Sequence, residues 1–261
     1  MFTKNNLMQK YTAIVLSLPL FAVCSPSFAE PDVVHFASEQ ITIDGEALER
    51  TWQDAEWRNI DKHMLGEYPD QHDFSGRYKL LWDERRLYLL AEISDDVLFD
   101  QHADPLLRYW DDDCLEIFID EDGSGGNHQF DYNAFAYHIA LDNQAVDIGG
   151  QLEDGSPAFI LLNDHVDSQW KRQSQQPHTV LWEVAVKIFD DSFELDKASQ
   201  PMSLTAGKTM GFMLAYCDND GSDEREHFLG SHEIEPVNGD KNLGYIDAGV
   251  FGSIRLGPQP D

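Results

Sequence analysis

Tyr109-Trp110-Asp111-Asp112-Asp113-Cys114-Leu115-Glu116-Ile117-Phe118-Ile119-Asp120 is the stretch on which the fold turns. From Cys114 it alternates: Cys114, Glu116 and Phe118 fall on one side of an extended chain, and Leu115, Ile117 and Ile119 on the other. That period of two predicts a strand. A tryptophan stands just ahead of it. The oxygen-rich turn Asp120-Glu121-Asp122-Gly123-Ser124-Gly125-Gly126 follows. An aromatic face, a carboxylate on a strand and a polar loop so close together form the kind of surface that recognises sugars. The ring meets the C–H side of a pyranose, and carboxylates or amides meet its hydroxyls.

Strand signals continue on either side. Residues 77–82 and 87–93 flank Asp83-Glu84-Arg85-Arg86 and read as a hairpin. Residues 87–93 are apolar on both faces until Glu92, as in a covered sheet. Residues 130–141 are aromatic-rich, with 145–148 pairing back onto them. Residues 180–188 put Trp182, Val184, Val186 and Ile188 on one face, a core pattern. Residues 211–217, 227–229 and 253–256 complete the set, and 190–209 read as a long surface connection. Near the N-terminus, Ile41-Thr42-Ile43 reads as a short strand. Asp44 is then expected to cap a helix with Glu46 in its first turn and Leu48, Trp52 and Ala55 on one face, which makes Trp52 a core residue. About ten short strands and one short N-terminal helix, with no internal repeat, predict an all-β fold, a β-sandwich of mostly antiparallel strands.

Residues 1–29 read as a signal peptide. Lys4 and Lys10 give the positive start, 13–24 the apolar stretch, and Ser27-Phe28-Ala29 the cleavage site. A lipoprotein reading centred on Cys24 fits poorly, with Val23 directly before the cysteine. The apolar stretch is too short for a membrane span. The expectation is therefore an exported protein, periplasmic or secreted, with one domain over 30–261. Without the two lysines of 1–29, the 18 basic residues become 16 against 48 acidic ones, a net charge of −32. Such a surface repels nucleic acid and anionic lipid and tolerates neutral ligands and divalent cations. Export permits a disulfide between Cys114 and Cys217; buried free thiols are the alternative.

The residues now quoted, in their order, resemble carbohydrate-binding module family 9. The resemblance starts with Ile43-Asp44-Gly45-Glu46 and Trp52. It continues through Leu81-Trp82-Asp83-Glu84, Leu87-Tyr88 and Ile93-Ser94-Asp95-Asp96, is strongest over 110–120, and closes with Phe251-Gly252-Ser253-Ile254-Arg255-Leu256. It implies a sandwich-type, non-catalytic sugar-binding domain that clamps a terminal, typically reducing-end sugar between two aromatic rings, and a glucan or xylan as partner. Carried over residue by residue, it implies Trp110 as the first ring, Tyr245 where the family has a second tryptophan, Glu116 as a sugar-binding acid and Asn242 as a sugar-binding amide. The family also has an arginine on the strand after the acidic loop. Here Asn133-Ala134-Phe135-Ala136-Tyr137-His138 has none, and Tyr137 or His138 is left to substitute.

Asp120, Asp122 and Ser124 have the alternating oxygens of a calcium loop, but the bidentate glutamate of an EF-hand is missing. A looser structural Ca²⁺ site there, helped by Asp95 or Asp96, agrees with family members that carry calcium. Asp218-Asn219-Asp220-Gly221 is a second candidate, although such runs are usually solvated turns. No His or Cys spacing suits zinc. Two other functions remain open: a glycan hydrolase with paired carboxylates, and a haem-binding domain using Met202, Met210 or Met213.

Overall fold

The structure, a computed structural model, describes residues 30–260; the signal-peptide and Cys24 readings lie outside them. Among the described residues no helix is long and apolar enough to cross a membrane.

Fourteen strands follow in order: β1 (Asp32–Phe36), β2 (Arg58–Ile60), β3 (Lys62–Gly66), β4 (Phe74–Trp82), β5 (Leu87–Asp95), β6 (Cys114–Asp120), β7 (Phe135–Ala140), β8 (Ala145–Gln151), β9 (Pro157–Leu161), β10 (Val166–Arg172), β11 (Thr179–Val186), β12 (Thr209–Asp218), β13 (His227–Gly230) and β14 (Gly252–Leu256). They form two sheets. The front sheet runs β14-β12-β6-β7-β8-β9, with β13 and β3 added on β12. The back sheet runs β10-β11-β5-β4, with β2 on β4. All of these pairs are antiparallel. β1 belongs to both sheets, pairing parallel with β14 through Asp32–Val34 and with β4 through His35 and Phe36.

The alternation read from the sequence decides which side chains lie between the sheets. Leu115, Ile117 and Ile119 of β6 meet Leu87, Leu89 and Ile93 of β5 and Trp182, Val184 and Val186 of β11 in the central core. The opposite face of β6, with Cys114 and Phe118, joins Met213, Cys217 and Phe228 in a second cluster. The loops covering that outer face build the site. The back sheet's outer face packs Tyr88, Leu90 and Ala185 against Trp52 and Ala55. Both faces of β5 are therefore covered, which explains its apolar run.

Two N-terminal expectations fail. Residues 41–43 form no strand, and the helix after Asp44 is only a 3-10 turn, Arg50–Gln53. Asp44 Oδ1 accepts the Glu46 N–H at 2.9 Å in a tight turn. Gly45 and Ala47 take left-handed backbone angles, φ 75° and 52°, that no α-helix can contain. The cause is distant in sequence. The Glu183 carboxylate on β11 accepts the N–H groups of Asp44 (3.2 Å) and Gly45 (2.8 Å) and the Trp52 indole N–H (3.2 Å). Gly45 also lies so close to the Trp170–Lys171 backbone that a Cβ would strike it. Trp52 and Ala55 are core as expected, while Leu48 is 77% exposed.

Candidate functional site

The outer face of the front sheet carries a cleft of about 300 Å³ lined by residues from several separate segments. All four expected sugar-binding residues, Trp110, Glu116, Asn242 and Tyr245, line it. They arrive there for different reasons.

Trp110 sits on a 3-10 turn, Tyr109–Asp111, at the entrance to β6. Arg108 just before it is left-handed at φ 51°, which redirects the chain. Its guanidinium fixes that bend by donating to Asp111 Oδ2 (2.8 Å) and to the Asp223 carbonyl (2.6 Å). The three aspartates after Trp110 are buried and satisfied. Asp112 accepts the Gln101 and His102 N–H groups at 2.9 and 3.1 Å, and Asp113 accepts those of Phe99 and Asn219 at 2.6 and 2.9 Å. These carboxyl groups are scaffolding that presents the half-buried indole. Trp110 then meets Tyr109 edge-on at 5.0 Å and Phe159 of β9 at 5.5 Å, so one wall of the cleft is aromatic.

Glu116 forms the floor, 2% exposed. Its Oε1 accepts from His138 Nε2 (2.9 Å), Arg225 Nη1 (3.2 Å) and Cys217 Sγ (2.9 Å). Burial pushes the carboxyl up, but His138, Arg225 and the thiol together outweigh that and hold it below the ordinary carboxylate range. Glu116 and His138 are direct partners across β6 and β7. Tyr137, one residue earlier, faces the core and bonds His165 Nδ1 at 2.9 Å. Of the two proposed substitutes for the family's arginine, only His138 reaches the cleft.

An arginine is nevertheless present. Arg225, from the turn between β12 and β13, lies in the cleft with its guanidinium buried. Burial would weaken its charge, but Cys217 and Glu116 hold its pKa above the ordinary value. No local pattern marks Arg225, which follows the Asp218–Gly221 run in a polar turn. Gln129, Asp147 and Phe159 also escaped sequence reading. Asp147 accepts the Ala136 and Ile148 N–H groups at 2.9 and 2.7 Å.

Asn242 and Tyr245 belong to a loop clamped from below. His128 Nε2 bonds the Gly244 carbonyl (2.8 Å), the His128 N–H donates to the Ile246 carbonyl (2.9 Å), and the Ala248 N–H to the Gly126 carbonyl (2.8 Å). The Asp120–Gly126 turn is thus a support for the Tyr245 loop. The oxygens of Asp120 are occupied within it: Oδ1 accepts from Gly123 N (3.0 Å) and Oδ2 from Gly125 N (2.7 Å). Asp122 Oδ1 accepts the Ser124 N–H (2.9 Å), and Ser124 Oγ lies 3.4 Å from Asn133 Oδ1. These bonds hold the turn in shape, and each bonded oxygen of Asp120 and Asp122 keeps a second lone pair.

Cys114 and Cys217 are direct cross-strand partners on β6 and β12, but both are free thiols. A directly opposed pair holds its Cβ atoms about 4.5–5.5 Å apart, wider than the usual ~3.8 Å of a disulfide. Cys217 turns instead to Glu116. The methionines considered for haem do not converge. Met210 lies in the central core and Met213 in the outer cluster, on opposite faces of β12.

Residues 43–258 match the family described as "Carbohydrate family 9 binding domain-like". The chain belongs to this family. Over 143 residues it is 27% identical to endo-1,4-beta-xylanase A of Thermotoga neapolitana, which is 53% of this chain and 13% of that enzyme. The chain therefore spans only a small part of the xylanases it matches. In fold it is similar to a carbohydrate binding module family 9 from Caldicellulosiruptor kristjanssonii in complex with cellotriose. The TM-score there is 0.63 at 20% identity, over 89% of this chain and 96% of that one. The module's complex with glucose also gives 0.63, at 18% identity over 88% and 98%. The sandwich read from the sequence is the family 9 fold.

Proposed function

We propose that this exported family 9 domain, periplasmic or secreted, is a non-catalytic binder of the terminal, reducing-end sugar of a plant-type glucan or xylan. The observation that carries the reading is convergence. Trp110, Glu116, Asn242 and Tyr245, from three separate segments, line one cleft with an aromatic wall and a charged floor. Its volume is at the small end for ligand sites, which suits a chain end more than a long internal stretch. Trp110 and Tyr245 would cover the two ring faces. Glu116 Oε2, outside the three contacts to Oε1, would accept from a sugar hydroxyl, and Asn242 from another. Arg225 and His138 supply the donors that the family's strand arginine would otherwise give. The complexes of the Caldicellulosiruptor module with cellotriose and glucose support this ligand class. Two desolvated ring faces and a few directed bonds correspond to about 4–8 kcal/mol, micromolar to millimolar binding.

Calorimetric titration with glucose, cellobiose, xylobiose and their alditols tests it. Binding of the free sugars but not the alditols is expected. In Trp110→Ala it should be abolished while the circular dichroism spectrum stays unchanged; unchanged affinity would sink the assignment.

One observation favours a second reading, a hydrolase. Burial raises the Asp147 carboxyl while Glu116 is held low, the split that acid–base pairs use. However, both Asp147 oxygens already accept backbone N–H groups. Release of sugar from xylo- or gluco-oligosaccharides by the pure protein would decide for that reading.

A further inference from the structure

Cys114 of β6 and Cys217 of β12 stand directly opposite each other, and both are fully buried. Glu116 shares the outer face of β6 with Cys114 and completes a group. The two sulfurs and a Glu116 carboxylate oxygen lie within 4.8 Å of one another. Local spacing could not show this group, because the register of two strands far apart in sequence makes it. The Cys217 thiol donates to Glu116 Oε1 at 2.9 Å, and its sulfur accepts from Arg225 Nη1 at 3.0 Å. Arg225 Nη1 also lies 3.2 Å from Glu116 Oε1, and its guanidinium rests over the Phe228 ring, 4.2 Å from the centroid.

Two buried cysteines alone would be small apolar side chains. These two do pack with Phe118, Met213 and Phe228. Cys217 nevertheless reaches a carboxylate and a guanidinium as well. Burial raises both thiols above the ordinary value, so each keeps its proton. The group therefore holds one negative charge on Glu116, one positive charge on Arg225 and two thiol protons that a cation can displace.

We infer that Cys114, Cys217 and Glu116 form a zinc site under the floor of the cleft, tying β6 to β12. Binding exchanges protons for metal. Two S–H bonds break, two metal–sulfur bonds form, and two protons leave to solvent. Charge selects the ion. A divalent cation that replaces two protons leaves the net charge of the buried group unchanged, whereas a monovalent copper ion would leave one negative charge uncompensated. Sulfur donors disfavour calcium and magnesium, which take oxygen. Sulfur and oxygen about 2.3 and 2.1 Å from a tetrahedral ion stand about 3.6 Å apart. Cys217 and Glu116, now bridged by a proton, must part by about 0.7 Å to admit it. The outer partners are in place, with Arg225 donating to the Cys217 sulfur and His138 Nε2 2.9 Å from Glu116 Oε1. Glu116 lines the cleft, which gives the ion its way in.

Zinc titration of the reduced, chelator-stripped protein, with no sugar present, tests this. One ion per chain and release of about two protons are expected, the protons read by calorimetry in buffers of different ionisation enthalpy. Cd²⁺ in place of zinc should give the ultraviolet sulfur-to-metal charge-transfer band that thiolate ligands produce. Cys114→Ala and Cys217→Ala should each weaken zinc about 100-fold or more and end the two-proton release. Asp122→Ala, on the exposed turn after β6, should titrate like the unaltered protein. The circular dichroism spectrum of each cysteine variant in chelator should match that of the unaltered protein. The proton count and the cadmium band are read on the unaltered protein, so they decide even where a variant fails to fold. No zinc heat, no cadmium band, release of one proton or none, displacement of zinc by equimolar calcium, or folded cysteine variants that bind like the unaltered protein would each overturn the assignment.

Discussion

At the scale of single residues, Glu116 does the most work for its size. One oxygen gathers an imidazole, a guanidinium and a thiol, so the carboxylate is fixed before any ligand arrives. A preorganised acceptor loses little freedom on binding. Its titration gives a directional test. The folded-state pKa is depressed below the ordinary value of 4.5, so the charge, and the stability linked to it, are present above that value. Both are lost only as pH falls through the depressed pKa. Sugar affinity measured by calorimetry should therefore stay flat from pH 7 to about 4.5 and fall at lower pH. A decline beginning near pH 6 would mean that another group controls the cleft. The Glu116→Gln variant should bind about 10- to 100-fold more weakly, the worth of a hydrogen bond to a charged acceptor.

At the scale of elements, the same residues show what a sequence reveals. β6 was legible because its two faces have different tasks, core on one side and site on the other. The β4–β5 hairpin and the Trp182 face of β11 were legible for the same reason. β2, β3, β9 and β10 were not, since short or polar strands such as Arg58–Ile60 and Val166–Arg172 are fixed by their partners' edges. The expected helix after Asp44 failed because Glu183, far along the chain, captures its N–H groups. Toward the site, the strand motif pointed to Trp110 and Glu116 and the family resemblance to Asn242 and Tyr245, whereas Arg225 reaches Glu116 from a turn that neither marks. The loop bearing Asn242 and Tyr245 offers a test at this scale. Gly244 lies flat on the outer face, and an added Cβ would come within 2.8 Å of the Phe118 ring and the Met213 methyl. Phe118 is fully buried and cannot yield. Gly244→Ala should lift the loop, weaken sugar binding at least tenfold and lower stability by about 1–3 kcal/mol. Unchanged affinity would show that the loop adapts without moving its ring.

At the scale of the whole molecule, the question is what makes two sheets one body. The central core presses them together, but hydrophobic contact has no direction, and sheets held only by it can slide. β1 supplies the missing constraint. Within five residues it adds to β14 and then crosses to β4, and the Gly257 N–H bonds the Val34 carbonyl while the Ala37 N–H bonds that of Trp82, each at 2.8 Å. Val34, at the crossing point, is fully buried in the central core, and its neighbour Val33 is 38% exposed. The two valines therefore form an internal control. Val34→Asp puts an unpaired carboxylate between the sheets and should cost about 3 kcal/mol or more. Val33→Asp, on the same strand and in the same pairing, should stay within about 1 kcal/mol. Urea unfolding of both variants measures the difference. If β1 locks the sheets as one unit, Val34→Asp should shift the midpoint of a single transition. Two resolved transitions would mean that front and back sheets can unfold separately and that β1 does not lock them.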